Sequence, residues 1–487
     1  MHGMRPPEGC AATLRRTGFP QPGENMPGIL LTLAGVALVA VLVLKRYYAP
    51  TSLLIVGLLL ITVTGLIGGD PVVTGKSATH TFTFDVVQVF SDLMKSRAAG
   101  LGMNLMVVAG FAAYMDKIGA TKALVDLCVK PLSRVHAPYL LLGLAYVTGQ
   151  ILNIFIPSAT GLGMLLMVTI YPLLISVGVS RLSAAAVVVT ASALDLGPAS
   201  GNSILASELS DVHVMEYFFS GQMPIAFVMV PICAVAHALI QRRFDRAGLS
   251  DGTLTEADFR AHAVESKGTA LQRQAPAYYA LLTILPVVLL FVFSKFVVSS
   301  VRLELVTALF FCMILAFIVD LATRRDFKEV VADTKSIYTG MGRMFSTTVA
   351  LIVCAEIFAE GLKRTGGIDT ILTWASSVEG VGGISMLVVL FAIMTIAAMV
   401  TGSGNAAFFA FSSFLPQCAA SVGWQTIVLA APVQLASGIA RSMSPIAGVT
   451  IAVAGLAEVS SFELVRRTIP VMALGLFSTI VASVLFI

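Results

Sequence analysis

The chain has 487 residues, of which 57% are hydrophobic and 12% charged, whereas soluble globular proteins carry roughly 25% charged residues. A formal net charge of +4 without a long Lys and Arg run offers nothing to nucleic acid, and the six cysteines (Cys10, Cys128, Cys233, Cys312, Cys354, Cys418) lack metal or disulfide-scaffold spacing. The composition is that of a membrane protein, and its long apolar runs exclude an outer-membrane barrel, whose strands would alternate in polarity.

Residues 1–25 are polar and rich in Pro, Gly and Arg. They are expected to be a disordered or non-native extension, with Met26 as the natural start. Apolar stretches then recur at Gly28–Leu44, Ser52–Gly69, Tyr139–Pro157, Met223–Ile240, Ala277–Ser294 and Ala473–Ile487. Most are long enough to cross about 30 Å of hydrocarbon as helices. The expected architecture is an all-α polytopic membrane protein with about 10–12 transmembrane helices.

The most charged interior stretch, 241–275, divides the chain and is expected to be a central cytoplasmic loop. It separates a first membrane half, 26–240, from a second, 276–487. The halves carry a faint repeat: Pro172 matches Pro416, Pro198 matches Pro445, Pro224 matches Pro470 and Glu216 matches Glu463. Repeats are common in secondary transporters. Basic residues of short loops stay on the cytoplasmic side, and Lys117, Lys122, Lys130 and Arg134 have no counterpart between Arg364 and Gly383. The asymmetry predicts two inverted repeats, with the N-terminus outside.

Between Val135 and Ser180 no Asp, Glu, Lys or Arg occurs, yet the run is interrupted by Asn153 and by "PSATGLG" at Pro157–Gly163. The second half has "TGSGN" at Thr401–Asn405. Two further interruptions follow, "LDLGPASGNS" at Leu194–Ser203 and "ASGIARSMSP" at Ala436–Pro445. Broken backbone at membrane depth is tolerated where protein or a water-filled cavity satisfies it, and paired interruptions point to a transport site. Close packing of helices through small residues would also account for any one of them. Half-helix N-termini aimed at one cavity suit carboxylate oxygens.

Arg441 is the sole charged side chain between Gly380 and Ala457. A guanidinium within a span costs about 2.5–3.5 kcal/mol, so something compensates it. A substrate carboxylate, a fixed pair with Asp195 and snorkelling to an interface are the three readings. Asp195 and Asn153 are candidates for a coupling ion. Glu356 and Glu360 read as a helix end near Lys363 and Arg364, and His237 as an interfacial residue at the end of a span. No enzyme motif is present, neither H-E-x-x-H nor a phosphate-binding Gly-x-x-x-x-Gly-Lys, so the chain is not expected to be an enzyme or to use a cofactor. Gradients of H⁺, Na⁺ or counter-substrate are the expected power source.

Four runs carry a resemblance: "GFAAYMDKIGA" (Gly110–Ala120), "SATGLGMLLM" (Ser158–Met167), "TGSGNAAFFAF" (Thr401–Phe411) and "RSMSPIAGVTIAVAGLAEVSSFELVRRT" (Arg441–Thr468). In these the chain, from about Met26 to its end, resembles the DcuC family of anaerobic C4-dicarboxylate transporters, within the wider ion transporter superfamily. The resemblance implies a multi-pass protein of the inner membrane that effluxes succinate or exchanges succinate, fumarate and malate. It further implies two re-entrant hairpins, two unwound helices, a homodimer and elevator-type movement. By that similarity the substrate-binding positions are Ser158, Ala159, Thr160 and Gly161 at one tip and Ser403, Gly404 and Asn405 at the other. Ser200, Gly201 and Asn202, with Arg441, Ser442 and Ser444, belong to the unwound turns. Another small organic anion or an amino acid on the same fold, or a channel-like protein, are the alternatives.

Overall fold

The computed structural model describes residues 26–45, 47–68, 71–259, 273–298, 300–367 and 382–486. The expected extension at 1–25 lies outside these. Among the described residues there are helices and turns and no strand. Helices α1 (Met26–Leu44), α2 (Ala49–Gly68), α3 (Phe82–Ala99), α4 (Leu101–Ile118) and α5 (Ala120–Val129) open the chain. The first hairpin is α6 (Pro138–Phe155) and α7 (Ala159–Ser176), followed by α8 (Arg181–Thr190) and α9 (Gly201–Leu209). A long helix, α10 (Val214–Asp251), contains a π-helical turn at Tyr217–Gln222.

The chain continues through α11 (Ala280–Val292), α12 (Leu305–Arg324) and the long α13 (Phe327–Arg364), which has a π-helical turn at Phe345–Val349. The second hairpin comprises α14 (Gly383–Thr401), α15 (Gly404–Phe411) and α16 (Leu415–Ser421). Last come α17 (Thr426–Arg441), α18 (Gly448–Ala457) and α19 (Ser461–Phe486). Eight described helices are long and apolar enough to cross a membrane, or nine if α3 and α4, bent by 45° at their junction, form one span. Shorter apolar helices accompany them, including α8, α17 and α18. At about 1.5 Å per residue, none of these three spans the hydrocarbon alone.

The repeat is carried by where helices begin. Phe82 and Phe327, Pro138 and Gly383, Ala159 and Gly404, and Arg181 and Thr426 are first helical residues 245 apart (327 − 82, 383 − 138, 404 − 159, 426 − 181). Gly201 and Gly448, like Val214 and Ser461, are 247 apart (448 − 201, 461 − 214). The same local signals recur at equivalent starts. Ser158 caps α7 by accepting from Gly161 N, and Ser403 caps α15 by accepting from Ala406 N, both at 3.1 Å. Such caps satisfy N–H groups that the first turn of a helix leaves free.

The chain folds into two compact units, one drawn from the described parts of Met1–Val89 and Ile357–Val381, the other from Phe90–Glu356 and Gly382–Ile487. Each draws on both halves of the sequence, so the repeat boundary is not a domain boundary. Within the first unit, Thr32 and Thr365 share a hydroxyl hydrogen bond of 2.6 Å. In the second, α10 packs on α6 and α19, α4 on α13, α14 on α17, and α7 on α18.

The expected central loop begins later than the charge pattern suggested. Helix α10 runs on through Asp251, and Gln241 and Asp245 are 0% and 1% exposed. Their polarity is absorbed by partners rather than by water. Arg467 of α19 donates to Asp245 at 2.7 Å, Ser180 and Ser183 donate to the same carboxylate at 2.6 and 2.8 Å, and Tyr139 adds a bond of 3.1 Å. A buried ion pair so fully hydrogen-bonded is a structural joint of α6, α8, α10 and α19. Residues 260–272 of the expected loop lie outside the described residues. His237, read as interfacial, is 0% exposed and bonded to Thr190 Oγ1 at 2.9 Å, because the helix that carries it does not end there.

Candidate transport site

The two hairpin tips and the two interrupted helices meet in the second unit. Between α8 and α9 the backbone is non-helical from Ala191 to Ser200, with Asp195 at φ +49° and Gly197 at φ +109°. Its freed groups are met by side chains. Asn153 Oδ1 accepts from Leu196 N at 3.0 Å, and Gln222 Oε1 accepts from Gly197 N at 3.2 Å. Gln434 lies against the carbonyls of Leu194 and Asp195 and accepts from Gln222 at 2.7 Å. Uncapped backbone is thereby satisfied inside protein, as membrane depth demands.

Close backbone approaches lock the pieces together. A Cβ on Gly404 would lie 2.5 Å from Ser437 O, and one on Gly438 would lie 2.4 Å from Ala193 O. The second tip therefore rests on α17, and α17 rests on the unwound turn of the first repeat. Asn202 Nδ2 reaches Asn405 Oδ1 at 3.4 Å, tying the start of α9 to the same tip.

These elements line an open cavity of about 550 Å³, within the size range of small-molecule sites. Of the thirteen expected substrate positions, Ser158, Ala159, Thr160, Gly201, Ser403, Asn405 and Arg441 line it. Gly448 and Val449 line it as well. First-turn residues of four helices, Ala159 of α7, Gly201 of α9, Asn405 of α15 and Gly448 of α18, therefore line one space. The positive ends of their dipoles bear on that space, with one first-turn N–H of α7 and one of α15 taken by the Ser158 and Ser403 caps.

The other expected positions stand behind this wall. Gly161 N is engaged by Ser158, Ser442 Oγ donates to Gly438 O at 3.3 Å, and Ser200, Asn202, Ser442 and Ser444 are buried at 0–1% exposure. Gly404 serves the backbone contact described above. Asn153 is not a free ion ligand, since its amide also donates to Ile156 O at 3.2 Å and its side chain is 0% exposed. Asp195 is 3% exposed and does not line the cavity.

Arg441 is the last residue of α17 and 8% exposed. One terminal nitrogen donates to Ser192 O at 2.8 Å and approaches Ser192 Oγ at 3.4 Å, while its Nε has no hydrogen-bond partner among the described residues. The fixed pair with Asp195 does not form: among the described residues no carboxylate oxygen comes within 4.0 Å of the guanidinium. Interfacial snorkelling is excluded too, because the group is buried at the cavity wall. Arg441 thus lines the cavity with a buried charge that has no carboxylate partner and with donor capacity to spare.

Sequence reading missed the opposite wall. It consists of Leu105, Val108, Ala109, Ala112, Ala113 and Asp116 from α4, and of Gly340, Arg343, Met344, Thr347, Thr348 and Leu351 from α13. Both sets follow helical i, i+3, i+4, i+7 spacing. Thr347 and Thr348 lie in the π-helical turn, a feature frequent at functional sites. Glu356 and Glu360 take no part: Glu356 accepts from Arg97 at 2.7 Å, and Glu360 from Arg364 at 2.8 Å.

The family model described as C4-dicarboxylate anaerobic carrier, DcuC, matches residues 26–487. The chain belongs to the DcuC family. It is 34% identical over 459 residues to the anaerobic C4-dicarboxylate transporter DcuC of Escherichia coli strain K12, covering 94% of this chain and 96% of that one. A probable DcuC transporter of Vibrio cholerae serotype O1 is 33% identical over 466 residues, covering 95% of this chain and 98% of that one. In fold it is similar to the crystal structure of the Alcanivorax borkumensis YdaH transporter, with a TM-score of 0.51, 14% identity, and coverage of 94% of this chain and 97% of that one. As a DcuC member the chain is a multi-pass membrane transporter and not an enzyme, and the inner membrane fits its bacterial relatives.

Proposed function

We propose that this DcuC-family chain carries C4-dicarboxylates such as succinate, fumarate and malate, as a secondary active transporter driven by a counter-substrate or ion gradient. The observation that carries this reading is that first-turn residues of four helices and Arg441 line one cavity. A carboxylate placed there exchanges its hydration for N–H groups and a planar, bidentate donor. Two arginines and one carboxylate, Asp116, line the space, and Arg441 has no carboxylate partner, so an anionic solute supplies the missing counter-charge.

Dicarboxylates are favoured over other anions because the relatives at 33–34% identity are named for them and are matched over nearly their whole length. Efflux, exchange and symport would use one site. An elevator movement of a homodimer is the accompanying proposal, in keeping with the resemblance noted above.

The test is uptake of labelled succinate into proteoliposomes preloaded with fumarate or left empty, for wild type and Arg441→Ala. Saturable uptake stimulated by internal fumarate and lost in the variant is expected. Absence of succinate flux from well-folded wild type discards the cargo assignment, and non-saturating flux points to a channel.

A further inference from the structure

We infer that Arg343, on the α4 and α13 wall of the cavity that Arg441 also lines, is the residue that makes the site selective for two carboxylates over one. The inference rests on the dicarboxylate reading and deepens it.

Three charged side chains line the cavity: Asp116, Arg343 and Arg441. Arg343 lies four residues before the π-helical turn's Thr347, on the same face of α13 as Gly340, Thr347 and Leu351. That face is fixed by backbone contact, since a Cβ on Gly340 would sit 2.6 Å from Ala109 O of α4. Arg343 is exposed, and no side-chain hydrogen bond or ion pair engages it among the described residues; unlike other unpaired arginines such as Arg134, Arg302 and Arg466, it lines the cavity.

Asp116 is the obvious competitor and is in the wrong place. Gly102 faces Val349, Gly110 faces Met341, and Lys117 pairs with Asp333 at 3.5 Å, so α4 and α13 run antiparallel. Gly340 faces Ala109, seven residues from Asp116, which is about 10 Å of helix. Arg343 lies on the far side of Gly340 from Asp116's end of the pair. It therefore lines the cavity about 10 Å or more along the helix pair from that carboxylate.

An anion gripped only by the helix N-termini and Arg441 needs one carboxylate. A second carboxylate at the other end of a four-carbon chain needs a second counter-charge, and Arg343 offers a bidentate one on the same cavity. A monocarboxylate gains nothing from it. The wild-type site thus discriminates by leaving this cation solvated when the second carboxylate is absent.

The experiment compares apparent affinities for succinate and butyrate, read by ligand-induced thermal stabilisation of the purified full-length chain, in wild type and Arg343→Cys. Loss of one charge-assisted contact is expected to weaken succinate binding about 10- to 100-fold while leaving butyrate unchanged. Treating Arg343→Cys with a 2-aminoethyl methanethiosulfonate reagent restores a cation and is expected to recover succinate binding; the 2-sulfonatoethyl reagent is not. Wild type treated identically controls for the native cysteines. Equal weakening of both ligands, or succinate binding within twofold of wild type, overturns the inference while wild-type binding keeps the dicarboxylate reading intact. Wild type that fails to bind succinate sinks that reading and this inference with it.

Discussion

Gln222 donates to Gln434 across 2.7 Å, joining the π-helical turn of α10 to the middle of α17, and both amides also engage the unwound backbone between Leu194 and Gly197. One pair thus holds the two repeats and the broken helix together. Replacing Gln434 by Leu strands a buried N–H of Gln222 and two carbonyls, at a cost of about 1–3 kcal/mol. Thermal unfolding of the purified variant in detergent is expected at a lower temperature than wild type. An unchanged midpoint would mean that the pair adds no net stability.

The Asp245 and Arg467 side chains are 1% and 8% exposed and 2.7 Å apart. Asp245→Ala leaves the arginine charge buried and is expected to cost about 3–5 kcal/mol. Substituting both by apolar residues of similar volume is expected to recover much of that. Size-exclusion profiles and unfolding midpoints of the single and double variants decide the matter; a double variant as unstable as the single would show that other contacts of the network dominate.

Arg441→Lys keeps the charge and loses the fork. Its succinate counterflow is expected to fall by about 10- to 100-fold, short of the complete loss in Arg441→Ala. Equal rates in the lysine variant and wild type would reduce the role of Arg441 to a point charge.

Gly404→Ala places a Cβ 2.5 Å from Ser437 O, so the second tip must move off α17. Overpacking of this kind typically costs about 1–3 kcal/mol, and here it falls on the site wall. Counterflow is expected to drop at least tenfold while the protein still inserts. Gly455→Ala meets no atom within 4 Å and serves as the neutral control. Matching activities in the two variants would remove the argument from close approach.

What the sequence determined by itself was the solvent and the punctuation. Long uncharged runs can only be stable in hydrocarbon, and clusters of Ser, Gly, Asn and Pro within them can only be breaks, so both hairpin tips and both unwound turns were legible as residue patterns. Arg441 was legible because a lone charge in such a run has a local cost that demands a partner. Only the tertiary structure decided what that partner is not, since Asp195 is close in the repeat pattern yet forms no pair with it. Gln222 and Gln434 were invisible because uncharged amides raise no alarm in an apolar helix, and Asp245 because it fell in the charged stretch expected to be a loop, 222 residues from its partner Arg467. Nothing in the local sequence singles out Arg343; the packing of α13 on α4 at Gly340 and Ala109 places it on the cavity wall. Composition and spacing register the energetic cost of a group where it stands, whereas the group that offsets the cost arrives from another helix, hundreds of residues away, by packing alone.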